Sequence, residues 1–155
     1  MEIKGFTIND MERFSGIKAH TLRAWEKRYD LLHPNRIANN SRLYTLHDLK
    51  KILNIALLKN NGYRISRLGA SKEIKEKVRS LKDETNKRQK AINELIINMY
   101  HGNPEHFEEI LDSFLLAWPM EILIEKIIFP FLKITNLLWI GHQLSEEHLV
   151  VYFKR

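Results

Sequence analysis

Thr21-Leu22-Arg23-Ala24-Trp25-Glu26-Lys27-Arg28-Tyr29 decides how the first half of this 155-residue chain is read. Leu22, Trp25 and Tyr29 recur three and four positions apart, the repeat of one face of an α-helix. Lys18, His20, Thr21, Arg23, Lys27 and Arg28 fill the other positions, so the spacing predicts an amphipathic helix over residues 18–29 with a basic outer face. Upstream, Thr7-Ile8-Asn9-Asp10 reads as a helix start. Thr7 can accept from the amide near Asp10, and Asp10 suits the positive end of a helix dipole. Ile8, Met11 and Phe14 give that helix its apolar stripe, and Ser15-Gly16 ends it. Two short helices joined by a glycine-containing turn are the helix-turn-helix pattern. In that pattern the N-terminal polar residues of the second helix reach base edges in the major groove. The plain structural alternative is a surface helix whose basic face is merely solvated.

Outward from this core, residues 1–7 fit a small strand. Residues 31–43 hold Pro34, the run Asn39-Asn40-Ser41 and the cations Arg36 and Arg42, a texture of turn-formers between short extended pieces that predicts a hairpin or wing. Thr45-Leu46-His47-Asp48 is a second cap, opening a helix to about residue 60 with Leu49, Ile52, Leu53, Ile55, Ala56 and Leu57 turned inward. Asn61-Gly62 stops it, and a short helix through Ile65 and Leu68 follows. Residues 76–90, within a charge-rich stretch that begins at Ser71, read as a helical linker. Helices are then expected near 91–100, 105–117, 121–139 and 146–155, with breaks at Gly102-Asn103-Pro104 and Trp118-Pro119 and a kink at Pro130. The expected fold is mainly α: a winged helix-turn-helix over residues 1–75, the linker, and a four-helix bundle over residues 91–155.

Charge divides the chain in the same place. Residues 1–83 carry 18 Lys and Arg against 9 Asp and Glu, whereas residues 84–155 carry 7 against 10. A basic first half predicts a polyanionic partner for that half alone. The absence of cysteine excludes disulfides, thiolate metal sites and cysteine nucleophiles. No Ser/His/Asp set, phosphate-cradling glycine loop or paired-carboxylate spacing supports catalysis, so no enzyme is expected. His142 and His148 lack the spaced carboxylates of a metal site, and none is expected. Residues 122–140 are the most apolar stretch, but Glu125, Lys126 and Lys133 interrupt it, which argues against a membrane span. The first ten residues carry charges and no apolar run of signal length, so the expected location is the cytoplasm.

In order and spacing, Thr21 to Tyr29, then Leu31-Leu32-His33-Pro34-Asn35-Arg36, then Asn40-Ser41-Arg42-Leu43-Tyr44-Thr45 with Asp48-Leu49, resembles the MerR family of transcription regulators. The stretch carries that family's T-L-R-x-W-E-x-R pattern, its L-x-P-x-R turn and its R-x-Y-T-x-x-D-L lead into the third helix. Asn60-Asn61-Gly62-Tyr63-Arg64-Ile65 resembles a later family bend. The resemblance covers about residues 6–70. It implies a winged helix-turn-helix that binds double-stranded, pseudo-palindromic promoter DNA as a homodimer, with RNA polymerase as a partner at the promoter. By the same resemblance Lys18, His20, Thr21 and Arg23 face the major groove, Lys27 and Arg28 add charge, and Arg36, Arg42 and Tyr44 belong to the wing. Where many members place Gly before the wing arginine, this chain has Asn40-Ser41; Asn tolerates left-handed angles, so the turn is expected to survive. Trp25 is assigned mainly to packing. The ring of Tyr44 can pack while its hydroxyl serves a phosphate.

The second half resembles the helical cap of cobalamin-binding, light-sensing MerR repressors. Phe129-Pro130-Phe131-Leu132, Trp139 and the pair Glu147-His148 carry the likeness, which implies that Trp139, Glu147 and His148 face an adenosylcobalamin. Seven residues separate Trp139 from Glu147, two fewer than is usual there. The D-x-H-x-x-G module that supplies the lower ligand is missing from the sequence, so this chain is expected to hold no cobalamin tightly by itself; it reads as a piece of a longer sensor or as one that has lost the sensing function. The structural alternative has Trp139 plugging the bundle end, Glu147 on the surface and His148 hydrogen-bonded. Two other functional readings stand beside the regulator: a non-specific DNA binder acting only on phosphates, and a small-molecule-binding bundle with an accessory basic domain.

Overall fold

In the computed structural model, which describes residues 5–69 and 71–140, the chain is mainly helical. It forms two compact units, Met1–Lys82 and Asp83–Arg155.

The first unit begins with α1 (Ile8–Ser15). The Thr7 hydroxyl accepts from the Asp10 amide at 3.3 Å while the Asp10 carboxylate accepts from the Thr7 amide at 2.8 Å, so two of the four orphan donors at the helix start are satisfied. Gly16, at φ +70°, turns the chain out of α1 and returns its amide to the Glu12 carbonyl. α2 (Ala19–Tyr29) follows and ends at Asp30 in a left-handed conformation. Leu22 is its one fully buried residue; Trp25 is half-buried and Tyr29 exposed. The expected apolar stripe is thus anchored at a single point, and Trp25 is less a core residue than its type suggested. A short helix lying across a small domain can bury only the turn that touches α1.

The wing is a two-stranded antiparallel hairpin, β1 (Asn35–Arg36) and β2 (Arg42–Leu43), with Asn35 opposite Leu43 and Arg36 opposite Arg42. Its tip passes through Asn39 and Asn40 at φ +63° and +60°, so asparagine does take the left-handed positions as the sequence predicts. Of the strand expected over residues 1–7, the described residues show a bridge, Phe6 with Tyr44, made by two backbone hydrogen bonds of 2.7 and 2.8 Å. Gly5 permits it: a Cβ there would lie 2.3 Å from Leu43 Cγ and 2.9 Å from the Tyr44 carbonyl oxygen.

α3 (Leu46–Asn60) starts at the second capping box, Thr45 with Asp48, and buries Leu49, Ile52, Leu53, Ile55, Ala56 and Leu57 as their spacing predicts. Together with Phe6, Met11, Phe14, Leu22, Leu32 and Tyr44 these make the core. A 3₁₀ turn, Ile65–Arg67, stands where a short helix was expected. α4 (Ser71–Ser80) packs on α3 through Ile74 and Val78, both buried. The segment expected as a helical linker is helical and is shared between α4 and the next helix, because Ile74 and Val78 form an i, i+4 apolar pair and Asp83 is a cap.

In the second unit, Asp83 accepts from the Asn86 amide at 3.0 Å and opens α5 (Glu84–His101), seven residues earlier than the sequence suggested. Gly102, at φ +67°, closes it. Asn103 caps α6 (Pro104–Leu115), with Pro104 at the position where no amide donor is needed. α7 (Met120–Leu123) runs through a π turn, Ile124–Ile128, into α8 (Phe129–Ile140). The π turn answers Pro130. Proline has no amide to give to the Lys126 carbonyl and its ring crowds that carbonyl, and the backbone widens there so that Phe129 donates to Ile124 instead. Leu95, Ile96, Met99, Phe107, Ile110, Leu123, Ile127 and Phe131 form the core, with the Phe107 and Phe131 rings edge to face at 5.5 Å. Three sides of the expected bundle lie within the described residues; the fourth helix, expected at 146–155, lies outside them.

Candidate nucleic-acid interface

α2 and the hairpin lie side by side in the first unit and enclose an open cleft of about 650 Å³. α2 brings Arg23, Glu26, Lys27 and Asp30 to it; the following loop brings Leu32, His33 and Pro34; the hairpin brings Arg36 and Arg42. Four of the residues expected to touch DNA therefore meet on one surface. Arg23, Lys27, Arg28 and Arg36 are exposed, as are Lys18 and His20 nearer the start of α2, while Thr21 is half-buried. The loop is held from below by Asp48, whose carboxylate serves the Thr45 cap and accepts from the His33 amide at 3.5 Å. Arg36 is steadied at the wing tip by the side-chain oxygen of Asn40, 2.5 Å away.

Two carboxylates that the sequence did not single out organise these cations. Glu12, near the end of α1, accepts from the Ala19 amide at 2.7 Å and from Lys18 Nζ at 2.9 Å. It closes the helix-turn-helix turn by capping α2, a task Lys18 at the N-cap position cannot perform. The Lys18 ammonium, and then the Ala19 amide, hold the Glu12 carboxyl below the usual carboxylate range. Glu26, in the middle of α2, accepts from Arg42 Nε at 3.0 Å through one oxygen and from the Tyr44 hydroxyl at 3.0 Å through the other. Both bonds reach from the hairpin back to the helix. The hydrogen bond to Glu26 raises Arg42 above its ordinary value. Burial, reinforced by the negative charge of Glu26, raises the Tyr44 phenol.

Tyr44 thus sits differently from the other expected contacts. Its side chain is fully buried and its hydroxyl is directed to Glu26. In the second unit, Trp139 falls within α8, whereas Glu147 and His148 lie outside the described residues. No group of three or more His, Asp or Glu able to hold a metal occurs among the described residues.

A family model described as the MerR HTH family regulatory protein matches residues 6–81, about half of the chain. Residues 6–81 form a MerR-family helix-turn-helix domain. The MerR domain is similar to the HTH-type transcriptional regulator MlrA of Escherichia coli, at 35% identity over 63 residues, 41% of this chain and 26% of that protein. It is also similar to the HTH-type transcriptional repressor CarA of Myxococcus xanthus, at 36% over 61 residues, 38% of this chain and 21% of that protein. The HTH-type transcriptional repressor CarH of the same organism aligns beyond the MerR domain, at 25% identity over 163 residues, 97% of this chain and 54% of CarH. The chain therefore spans between a fifth and about half of the length of these relatives. All three are named as transcriptional regulators or repressors, none as an enzyme. No helix among the described residues is long and apolar enough to cross a membrane.

Proposed function

We propose that the protein is a sequence-specific DNA-binding transcription regulator of the bacterial cytoplasm that docks α2 in the major groove of promoter DNA and lays the hairpin along the adjacent backbone. The convergence of Arg23 and Lys27 from α2 with Arg36 and Arg42 from the hairpin on one cleft carries this reading. Arg23, exposed in the first half of α2, suits a bidentate contact with guanine. The wing cations suit phosphates, where charge supplies affinity and salt dependence but little sequence choice. MerR-type pairing implies a homodimer on a pseudo-palindromic site, with RNA polymerase recruited or blocked there. For the second unit we propose part of a sensing or oligomerisation module, with Trp139, Glu147 and His148 as the residues that the cobalamin-type resemblance assigns to the effector.

Fluorescence anisotropy on DNA selected from a random pool by the protein itself, with random competitor across a salt series, tests the first part. A regulator prefers its selected duplex by about 10³-fold or more. Binding surrendered equally to any competitor would favour a binder of phosphates alone. Titration with adenosylcobalamin, followed by absorbance, tests the second; this chain alone is expected to bind it weakly, and tight binding would show a complete sensor site.

A further inference from the structure

Glu26 stands on the recognition helix and bonds to the wing, inside the surface that the phosphates would approach. Its carboxylate is largely sheltered, with the side chain 17% exposed, and both oxygens are used by hairpin residues. The Arg42 side chain is 31% exposed and gives Nε to Glu26, while its terminal nitrogens make no hydrogen bond among the described residues. A guanidinium held at Nε cannot swing freely, so its outer edge is presented in one direction. The Tyr44 hydroxyl fixes the other carboxylate oxygen from beneath, and the Tyr44 ring cannot move because it is packed in the core and its backbone is paired with Phe6. The order of support runs from core to Tyr44, to Glu26, to Arg42.

From this geometry we infer that Glu26 is a positioning and specificity-determining residue, which locks the wing arginine to the recognition helix so that both fit the same stretch of DNA at once. The inference rests on the regulator reading above. Two effects follow from one carboxylate. It aims Arg42, which favours DNA whose backbone passes where that arginine points. It also keeps a fixed negative charge in the cleft, which disfavours DNA whose phosphates come close to it without making the Arg42 contact. A protein without Glu26 would keep its charge-driven affinity and lose discrimination.

The test uses the full chain and two labelled duplexes: one selected from a random pool by the wild type, and a scrambled duplex of the same length and composition. Glu26→Gln keeps an oxygen for Arg42 or Tyr44 but removes the charge. It is expected to weaken binding to the selected duplex about tenfold, the loss of one well-aimed contact. Binding to the scrambled duplex should stay equal or tighten, because a negative charge has left a surface that meets phosphates. Glu26→Asp retains the charge but is one methylene short of Arg42. It should weaken the selected duplex without any gain on the scrambled one. In an Arg42→Ala background, Glu26→Gln should change the ratio between the duplexes much less, because only the charge effect remains, and circular dichroism should show the wild-type helix content for each variant. A ratio unchanged by Glu26→Gln, or one changed equally with and without Arg42, overturns the inference while leaving the regulator reading in place. A pool that yields no preferred duplex overturns the regulator reading and this inference with it.

Discussion

Replacing Tyr44 by Phe removes one oxygen from the centre of the first unit, and the structure fixes both the size and the pH dependence of the effect. The lost hydrogen bond runs to a carboxylate at 3.0 Å from a fully buried ring. Bonds to charged partners contribute about 1.5–3 kcal/mol; because Glu26 keeps Arg42 and is partly exposed, about 1–2 kcal/mol is expected here. The sign of the pH effect follows from the raised phenol. In the unfolded chain the tyrosine ionises near its ordinary value of 10.0, while in the folded chain it stays protonated beyond that. Between those limits the native state holds one more proton than the unfolded state, so stability is complete below pH 10 and falls by about 1.4 kcal/mol per unit above it. Tyr44→Phe has no such loss. The wild-type advantage should therefore be constant from pH 8 to pH 9.5 and close near pH 11. Guanidinium unfolding followed by Trp25 fluorescence, in a host with Trp118→Phe and Trp139→Phe, reads the first unit. A difference that stays constant through pH 11 would refute the claim that burial and Glu26 suppress ionisation. No difference at pH 8 would refute the hydrogen bond as a source of stability.

Other substitutions separate reading from holding. Arg23→Ala should weaken the selected duplex by ~1–3 kcal/mol and broaden the set of sequences recovered from a random pool; unchanged affinity and preference would show that α2 is not the reading helix. Arg42→Ala should weaken both duplexes, the selected one more because Glu26 aims that arginine, and lower the slope of log affinity against log salt by about one, as measured by anisotropy. Gly5→Ala drives a Cβ into Leu43 and the Tyr44 carbonyl, so the first unit should lose roughly 1–3 kcal/mol in a denaturant melt.

What the sequence made legible follows from the range of the interactions involved. Thr7 with Asp10 and Thr45 with Asp48 are contacts across three residues, and both appear as spaced types in the chain; α1 and α3 were therefore readable. The wing tip was readable because Asn39 and Asn40 can take angles most residues avoid. The polar stretch 71–90 was legible as helical but not its division into two helices, since Ile74 and Val78 are isolated among charges and the Asp83 cap is one acid among many charged residues. The half-burial of Trp25 was not legible, because residue type says nothing of how much neighbouring surface exists to cover it. Glu26 and Glu12 escaped notice for a different reason. Their partners lie 16 to 18 residues away on the hairpin, or across the turn, and no local spacing marks an acid that serves a cation so placed. The order of acids among cations, Arg23, Glu26, Lys27, Arg28 against Arg36 and Arg42, was the available hint.

The widened turn ahead of Pro130 also has a consequence for chain length. A π turn amounts to one residue more than an α-helix needs over the same stretch, and each residue advances a helix by about 100°. The phase of α8 is set by that single extra residue. Deleting one residue from Ile124–Ile128 would keep Phe131 on the side of Phe107 but would bring the Pro130 ring back against the carbonyl one α-helical turn before it, so the helix would kink there. The extra residue is what lets a proline stand inside this helix with the faces on either side of it still in phase with their partners.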